Sequence, residues 1–188
     1  MVSFDEQAIL DNGAYIYNQR AEIERIADEI CEKGFDSIFF TSSGGSLAMM
    51  QPFDYMVSVM SDIPVQSQVS ADFLTVGNRR IGKGTLAFMA SKSGDTKETV
   101  AAAKAAKDAG CTIVSTLGVD GSPLGELSDY GVIYKQGRPM ELVLYLLIGK
   151  ILKNRGFFDD YDRFADELVN LPAALVSVGK NADEMARA

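Results

Sequence analysis

The sequence contains no histidine. Without an imidazole, acid–base chemistry near neutral pH falls to a carboxylate, a lysine or a tyrosine. Cysteine is scarce too: Cys31 and Cys111 are the only two, and their spacing is not that of metal ligands. With no histidine to complete a set, this argues against a zinc site. Each cysteine sits in or beside an apolar run, reads as a buried free thiol, and fits a reducing cytoplasm. Basic charge is in deficit, with 18 Lys and Arg against 26 Asp and Glu for a net charge of −8. Nucleic acid and anionic membranes select basic surfaces, so neither is the expected partner. Long apolar runs are missing. The longest, Met140–Ile151, is interrupted by Glu141, Gly149 and Lys150 and is too short to span a bilayer. Met1 is followed at once by polar and acidic residues, Ser3-Phe4-Asp5-Glu6, unlike a secretory leader. No internal repeat or low-complexity segment interrupts the chain.

What is present suits a soluble globular protein: 188 residues, 47% hydrophobic and 23% charged, enough to bury one core. Ile16, Ile23, Ile26 and Ile30 form a helical stripe over residues 5–33, ended by Gly34. Short runs rich in strand formers follow at Asp36–Thr41, Val65–Val69, Thr85–Ala90, Cys111–Thr116 and Gly131–Tyr134. Between them lie helical patterns at Gly45–Met60, with Pro52 inside as a kink or a delayed start, and at Ala71–Val76. Others fall at Thr96–Ala109, Leu124–Leu127 and Met140–Asn154. Strands and helices in alternation call for a parallel sheet with right-handed crossovers. The expected fold is a doubly wound, flavodoxin-like α/β domain: five strands in the order 2-1-3-4-5 within a three-layer sandwich.

Residues 1–155 read as this domain, with an N-terminal helix, and residues 156–188 as a helical arm or interdomain linker. In the arm, Phe164, Leu168, Leu171, Leu175 and Val178 keep helical spacing, with Pro172 as a break or a new first turn. The arm returns to no strand, so it either packs on a partner chain, making a homodimer or higher oligomer, or leads into a further domain.

Two Ser/Gly-rich loops carry the chemistry. Thr41-Ser42-Ser43-Gly44-Gly45-Ser46 follows the first strand, and Ser91-Lys92-Ser93-Gly94-Asp95-Thr96 follows the third. Each opens a helix, offering hydroxyls, backbone N–H groups and a favourable dipole to an anion such as a phosphate monoester. In the expected strand order the two loops flank the point where the order reverses, so Ser46 and Ser93 should face one ligand. A net-negative chain must neutralise such an anion locally. Asp95 reads as a helix N-cap with Glu98 as its capping-box partner. Neither loop is a Walker A or a dinucleotide-binding Gly-x-Gly-x-x-Gly. No acidic cluster follows the first strand, which disfavours a response-regulator domain.

The second loop, Ser91-Lys92-Ser93-Gly94-Asp95-Thr96-Lys97-Glu98-Thr99, resembles the S-x-S-G-x-T-x-[ED]-T signature of sugar isomerase (SIS) domains. Ser42–Ser46 resembles that family's G-x-G-x-S loop, with Ser42 and Ser43 replacing the usual Gly or Ala and Cys, and Gly121-Ser122-Pro123-Leu124 its next loop. The resemblance covers roughly residues 20–155. Within the family it is nearest to the first domain of fructosamine-6-phosphate deglycases and the isomerase half of glucosamine-6-phosphate synthases. Glu167–Leu175 is similar to the linker helix joining two SIS domains in deglycases.

The resemblance implies a sugar-phosphate or amino-sugar-phosphate ligand and no cofactor. It places the phosphate among Ser43, Gly45, Ser46, Ser91, Lys92, Ser93 and Thr96. Lys92 stands where many relatives carry Gln; its ammonium either adds a cation at the phosphate or points to solvent. Glu141, matching a Glu on the corresponding helix of deglycases, is the candidate catalytic carboxylate. The alternative for Glu141 is a first-turn residue favoured by the helix dipole. The family's catalytic Glu and ring-opening His come from a second SIS domain, and no stretch here matches their motif. Two readings stay open: part of an isomerase or deglycase, or a non-catalytic phosphosugar-binding sensor. Arg79, Arg80 and Lys83 read as a solvated loop, and Asp159–Arg163 as a solvated helix start rather than a metal site. Discrimination among sugars falls to Leu117–Ser122 and Gln136–Pro139.

Overall fold

A computed structural model describes residues 5–135 and 139–187. Its centre is one parallel sheet of β1 (Ser37–Ser42), β2 (Val65–Val69), β3 (Thr85–Ser91), β4 (Thr112–Leu117) and β5 (Tyr130–Ile133). The strand order is β2-β1-β3-β4-β5, as expected. The three central strands are buried on both faces and so read as continuous apolar runs rather than alternating ones. Alternation shows instead in which core each side chain joins. Ile38, Phe40, Leu86, Phe88 and Val114 point to one side, while Phe39, Ala87, Met89 and Ile113 point to the other.

The first side is covered by α1 (Glu6–Tyr17), α2 (Arg20–Lys33), α3 (Gly44–Met60) and α7 (Glu141–Asn154). The second is covered by α4 (Ser70–Val76), α5 (Lys97–Asp108) and α6 (Pro123–Leu127), with a smaller, alanine-rich core. This is the three-layer α/β sandwich the sequence called for. α7 is apolar nearly all round because it lies at the centre of the larger core.

Residues 5–33 form two helices, not one. α1 ends where the Asn18 N–H bonds back to the Ala14 carbonyl at 3.0 Å and the Gln19 N–H to the Ile16 carbonyl at 2.9 Å. The Gln19 side-chain amide then donates to the carbonyl of Ile133, 3.0 Å away at the end of β5. This polar pair interrupts the stripe and pins the turn to the sheet. α3 runs unbroken through Pro52. The hydrogen bond proline forfeits would have gone to the carbonyl of Ala48, an exposed residue that water can satisfy. Asp95 is not a helix cap. Thr96 holds that position on α5, no side chain caps the helix, and the Asp95 carboxylate accepts from the Ser93 hydroxyl instead.

After α7 the chain forms α8 (Tyr161–Glu167), a 3-10 turn and α9 (Leu171–Arg187), with Pro172 in the first turn of α9. α9 packs on α1 where Gly13 admits the Pro172 ring; a Cβ on Gly13 would collide with it.

Candidate functional site

The strand order reverses between β1 and β3, and the loops leaving these two strands lie side by side there. Ser42 joins the two loops, distant in sequence, by hydrogen bonds. Its hydroxyl donates to the carbonyl of Ala90 at 2.5 Å and accepts from the Ala90 N–H at 3.1 Å. The side chain thereby extends the β1–β3 ladder past its last paired residues, Phe40 and Phe88, and sets the start of α3 beside the end of β3. Gly44 takes φ +54°, which a glycine adopts without strain. Ser43, at the N-cap of α3, does not cap it; its hydroxyl lies 3.4 Å from that of Thr99 on α5. Both helices at the switch point therefore begin without a side-chain cap, and their first-turn N–H groups keep donor capacity for a ligand.

The second loop is held from beneath. Ser91 is buried, accepts from the Gly94 N–H at 2.9 Å, and lies 3.2 Å from the Thr96 hydroxyl. The β4–α6 segment clamps it through Gly118 N–H to Ser91 O (3.2 Å) and Leu124 N–H to Gly94 O (2.9 Å). Gly118 must be glycine because a Cβ there would strike the Lys92 carbonyl oxygen. The Gly121–Leu124 loop noted in the sequence thus supports the second loop.

A cavity of about 490 Å³ opens at this point. One wall is Ser43, Gly45, Ser46 and Met49 from the start of α3, and Lys92 adds to it from the second loop. Tyr134, Met140 and Glu141, from the segment joining β5 to α7, also line it. Of the expected site residues, the structure brings Ser43, Gly45, Ser46, Lys92 and Glu141 onto one cavity. Ser91 buttresses the loop from inside, Ser93 is exposed, and Thr96 is half-buried at the helix start; none of these three lines the cavity. Glu141, half-buried in the first turn of α7, is the carboxylate among the lining residues. Of the Gln136–Pro139 loop, positions 136–138 lie outside the described residues.

Sequence reasoning missed Tyr134, Met49 and Met140. Tyr134 stands one residue past β5, at a strand's carboxyl end where ligands of such sheets bind, and that position was the available signal. Burial first, and then the Glu141 carboxylate, push its phenol up to about 12, so it stays a neutral donor across physiological pH. Cys111 is buried and Cys31 half-buried, both free; burial raises both thiols, that of Cys111 to about 11, which makes them poor nucleophiles. No group of side chains suited to a metal ion occurs among the described residues, and none of their helices is long and apolar enough to cross a membrane.

Residues 33–148 match the family model described as SIS domain. A glutamine–fructose-6-phosphate aminotransferase (isomerizing) of Thermotoga maritima is 31% identical over 158 residues, 78% of this chain and 26% of that protein. The fructosamine deglycase FrlB of Bacillus subtilis is 28% identical over 178 residues, 89% of this chain and 54% of that one. The chain therefore spans between a quarter and just over half the length of these two relatives. A solved chain of Salmonella typhimurium LT2, ascribed to the phosphosugar isomerases, superposes with a TM-score of 0.80 at 23% identity. That match covers 89% of this chain and 53% of the other, and it speaks for the fold.

Proposed function

The chain belongs to the SIS domain family, and from that premise we propose that it binds a sugar phosphate or amino-sugar phosphate at the β1/β3 switch point. The observation that carries this reading is the cavity itself, which brings the uncapped start of α3, two serine hydroxyls and the Lys92 ammonium together with one half-buried carboxylate. A phosphate monoester needs donors and positive potential, and the first group supplies them. Ser43, Gly45, Ser46 and Lys92 contact the phosphate, Ser91 holds the second loop in shape, and Ser93 and Thr96 add donors from that loop at the approach to α5.

The chemistry suited to Glu141 is proton movement on a carbon next to a carbonyl or imine, as aldose–ketose isomerisation and deglycation require. A carboxylate beside the sugar carbons takes the proton from one and returns it to its neighbour. The relatives' names specify fructose 6-phosphate and fructosamine as the chemical neighbourhood. Residues 1–155 form the phosphosugar unit in this reading, and residues 156–188 an arm toward a partner or a further domain. A second reading, binding without turnover, is favoured by the absence of histidine, which leaves ring opening without an imidazole acid.

Calorimetric titration of the full chain with fructose 6-phosphate, glucosamine 6-phosphate and inorganic phosphate tests the proposal. At least one sugar phosphate is expected to bind saturably and more tightly than phosphate. If all three fail to bind, the phosphosugar reading is wrong. Solvent-deuterium incorporation into bound fructose 6-phosphate then separates the two readings: label lost in Glu141→Gln, with binding retained, marks the catalytic one.

A further inference from the structure

Tyr134 is only 1% exposed, and its hydroxyl has no hydrogen-bond partner among the described residues. Other tyrosines of the fold are treated differently. Tyr161, equally buried, has its hydroxyl 3.0 Å from both the Leu146 carbonyl and the Glu24 carboxylate, and the Tyr130 hydroxyl accepts from Lys33 at 2.7 Å. A buried hydroxyl without a partner is an unfavourable arrangement that a bound acceptor would relieve. Tyr134 also lines the cavity with Ser46, Lys92 and Glu141, and its backbone N–H donates to the Leu117 carbonyl at 2.8 Å, which anchors the residue to the end of β4.

We propose that the Tyr134 hydroxyl is a specificity-determining donor that reads an oxygen of the sugar, not of the phosphate. The inference rests on the phosphosugar reading and adds to it the division of the cavity. The cavity wall makes that division: Ser43, Gly45, Ser46 and Lys92 line it from the start of α3 and the second loop, whereas Tyr134 and Glu141 line it from the end of β5 and the start of α7. The ligand atom that accepts from Tyr134 is then a hydroxyl or carbonyl oxygen of the sugar. Because the phenol stays protonated, it acts as a donor and complements the acceptor-only carboxylate beside it. A site that donates into the sugar in this way discriminates against ligands lacking the matching oxygen, since the buried hydroxyl is then left unpaired.

The test compares Tyr134→Phe with the parent chain by calorimetric titration against fructose 6-phosphate and inorganic phosphate, with the melting temperature of each ligand-free protein. Fructose 6-phosphate affinity is expected to fall about tenfold, phosphate affinity to stay unchanged, and the melting temperature to hold or rise because the lost hydroxyl had no partner. Unchanged fructose 6-phosphate affinity in a parent chain that binds it overturns the inference alone, as does an equal loss for both ligands. Failure of the parent chain to bind either ligand overturns the phosphosugar reading and this inference with it.

Discussion

Lys92 is the residue at which this chain departs most consequentially from the loop it resembles. The protein carries a net charge of −8, and its cavity already holds the Glu141 carboxylate. Backbone dipoles and serine hydroxyls supply donors for a phosphate but no whole positive charge. Lys92 supplies one, from a loop whose backbone is fixed against Gly118 while its long side chain stays exposed. Its strength as an ion-pair donor is tempered by that exposure, because solvent and salt screen a surface charge. Lys92→Gln is therefore expected to weaken fructose 6-phosphate by about three- to tenfold and to flatten the dependence of affinity on ionic strength. Titrations at low and high salt check it. Equal affinity and equal salt dependence in both proteins would show that the ammonium points into solvent.

The loops answer to the elements that carry them, and Gly118 shows how. It lies in the segment after β4, lines no part of the cavity, and yet fixes the carbonyl of Lys92 by leaving no room for a Cβ. Gly118→Ala is expected to destabilise the chain by about 1–3 kcal/mol, the range for forcing extra volume into a packed position, and to weaken phosphosugar binding as the second loop shifts. Urea unfolding with titration of the folded variant measures both. Retained affinity would mean that the loop tolerates displacement and that its shape does not define the site. The same coupling explains which parts of the architecture could be read in advance. The strands were legible because burial on both faces makes them unbroken apolar runs, and their parallel pairing follows from alternation with helices. The helix break at Asn18–Gln19 was not, because it depends on Gln19 reaching a carbonyl 114 residues away. The role of Asp95 was misread for a local reason: Ser93, two residues earlier, claims its carboxylate, and Thr96 takes the cap position. Tyr134 escaped notice because the end of an apolar strand reads as core, and only the fold places that side chain on a cavity.

At the scale of the whole molecule, the unfinished surface is α9. Pro172 and Val176 turn inward, the former against Gly13 of α1, and Lys180 pairs with Glu6 at 2.7 Å, so the helix is seated on the body of the protein. Its outer side nevertheless leaves Val178 65% exposed and Leu175 36% exposed, with Val169 just before it 52% exposed. Single exposed apolar residues are ordinary, but Leu175 and Val178, three residues apart and so neighbours on one face of α9, are what an association surface presents. The expectation is a homodimer in solution at micromolar concentration, with these side chains in the contact. Val178→Glu then places a charge in the interface, which a free surface accepts at no cost and a buried one does not. The variant should sediment as a monomer with an unchanged melting profile at dilutions where the parent is already dissociated. If the parent sediments as a monomer throughout, the surface of α9 does not join two copies of this chain, and a further domain becomes the partner to test against it.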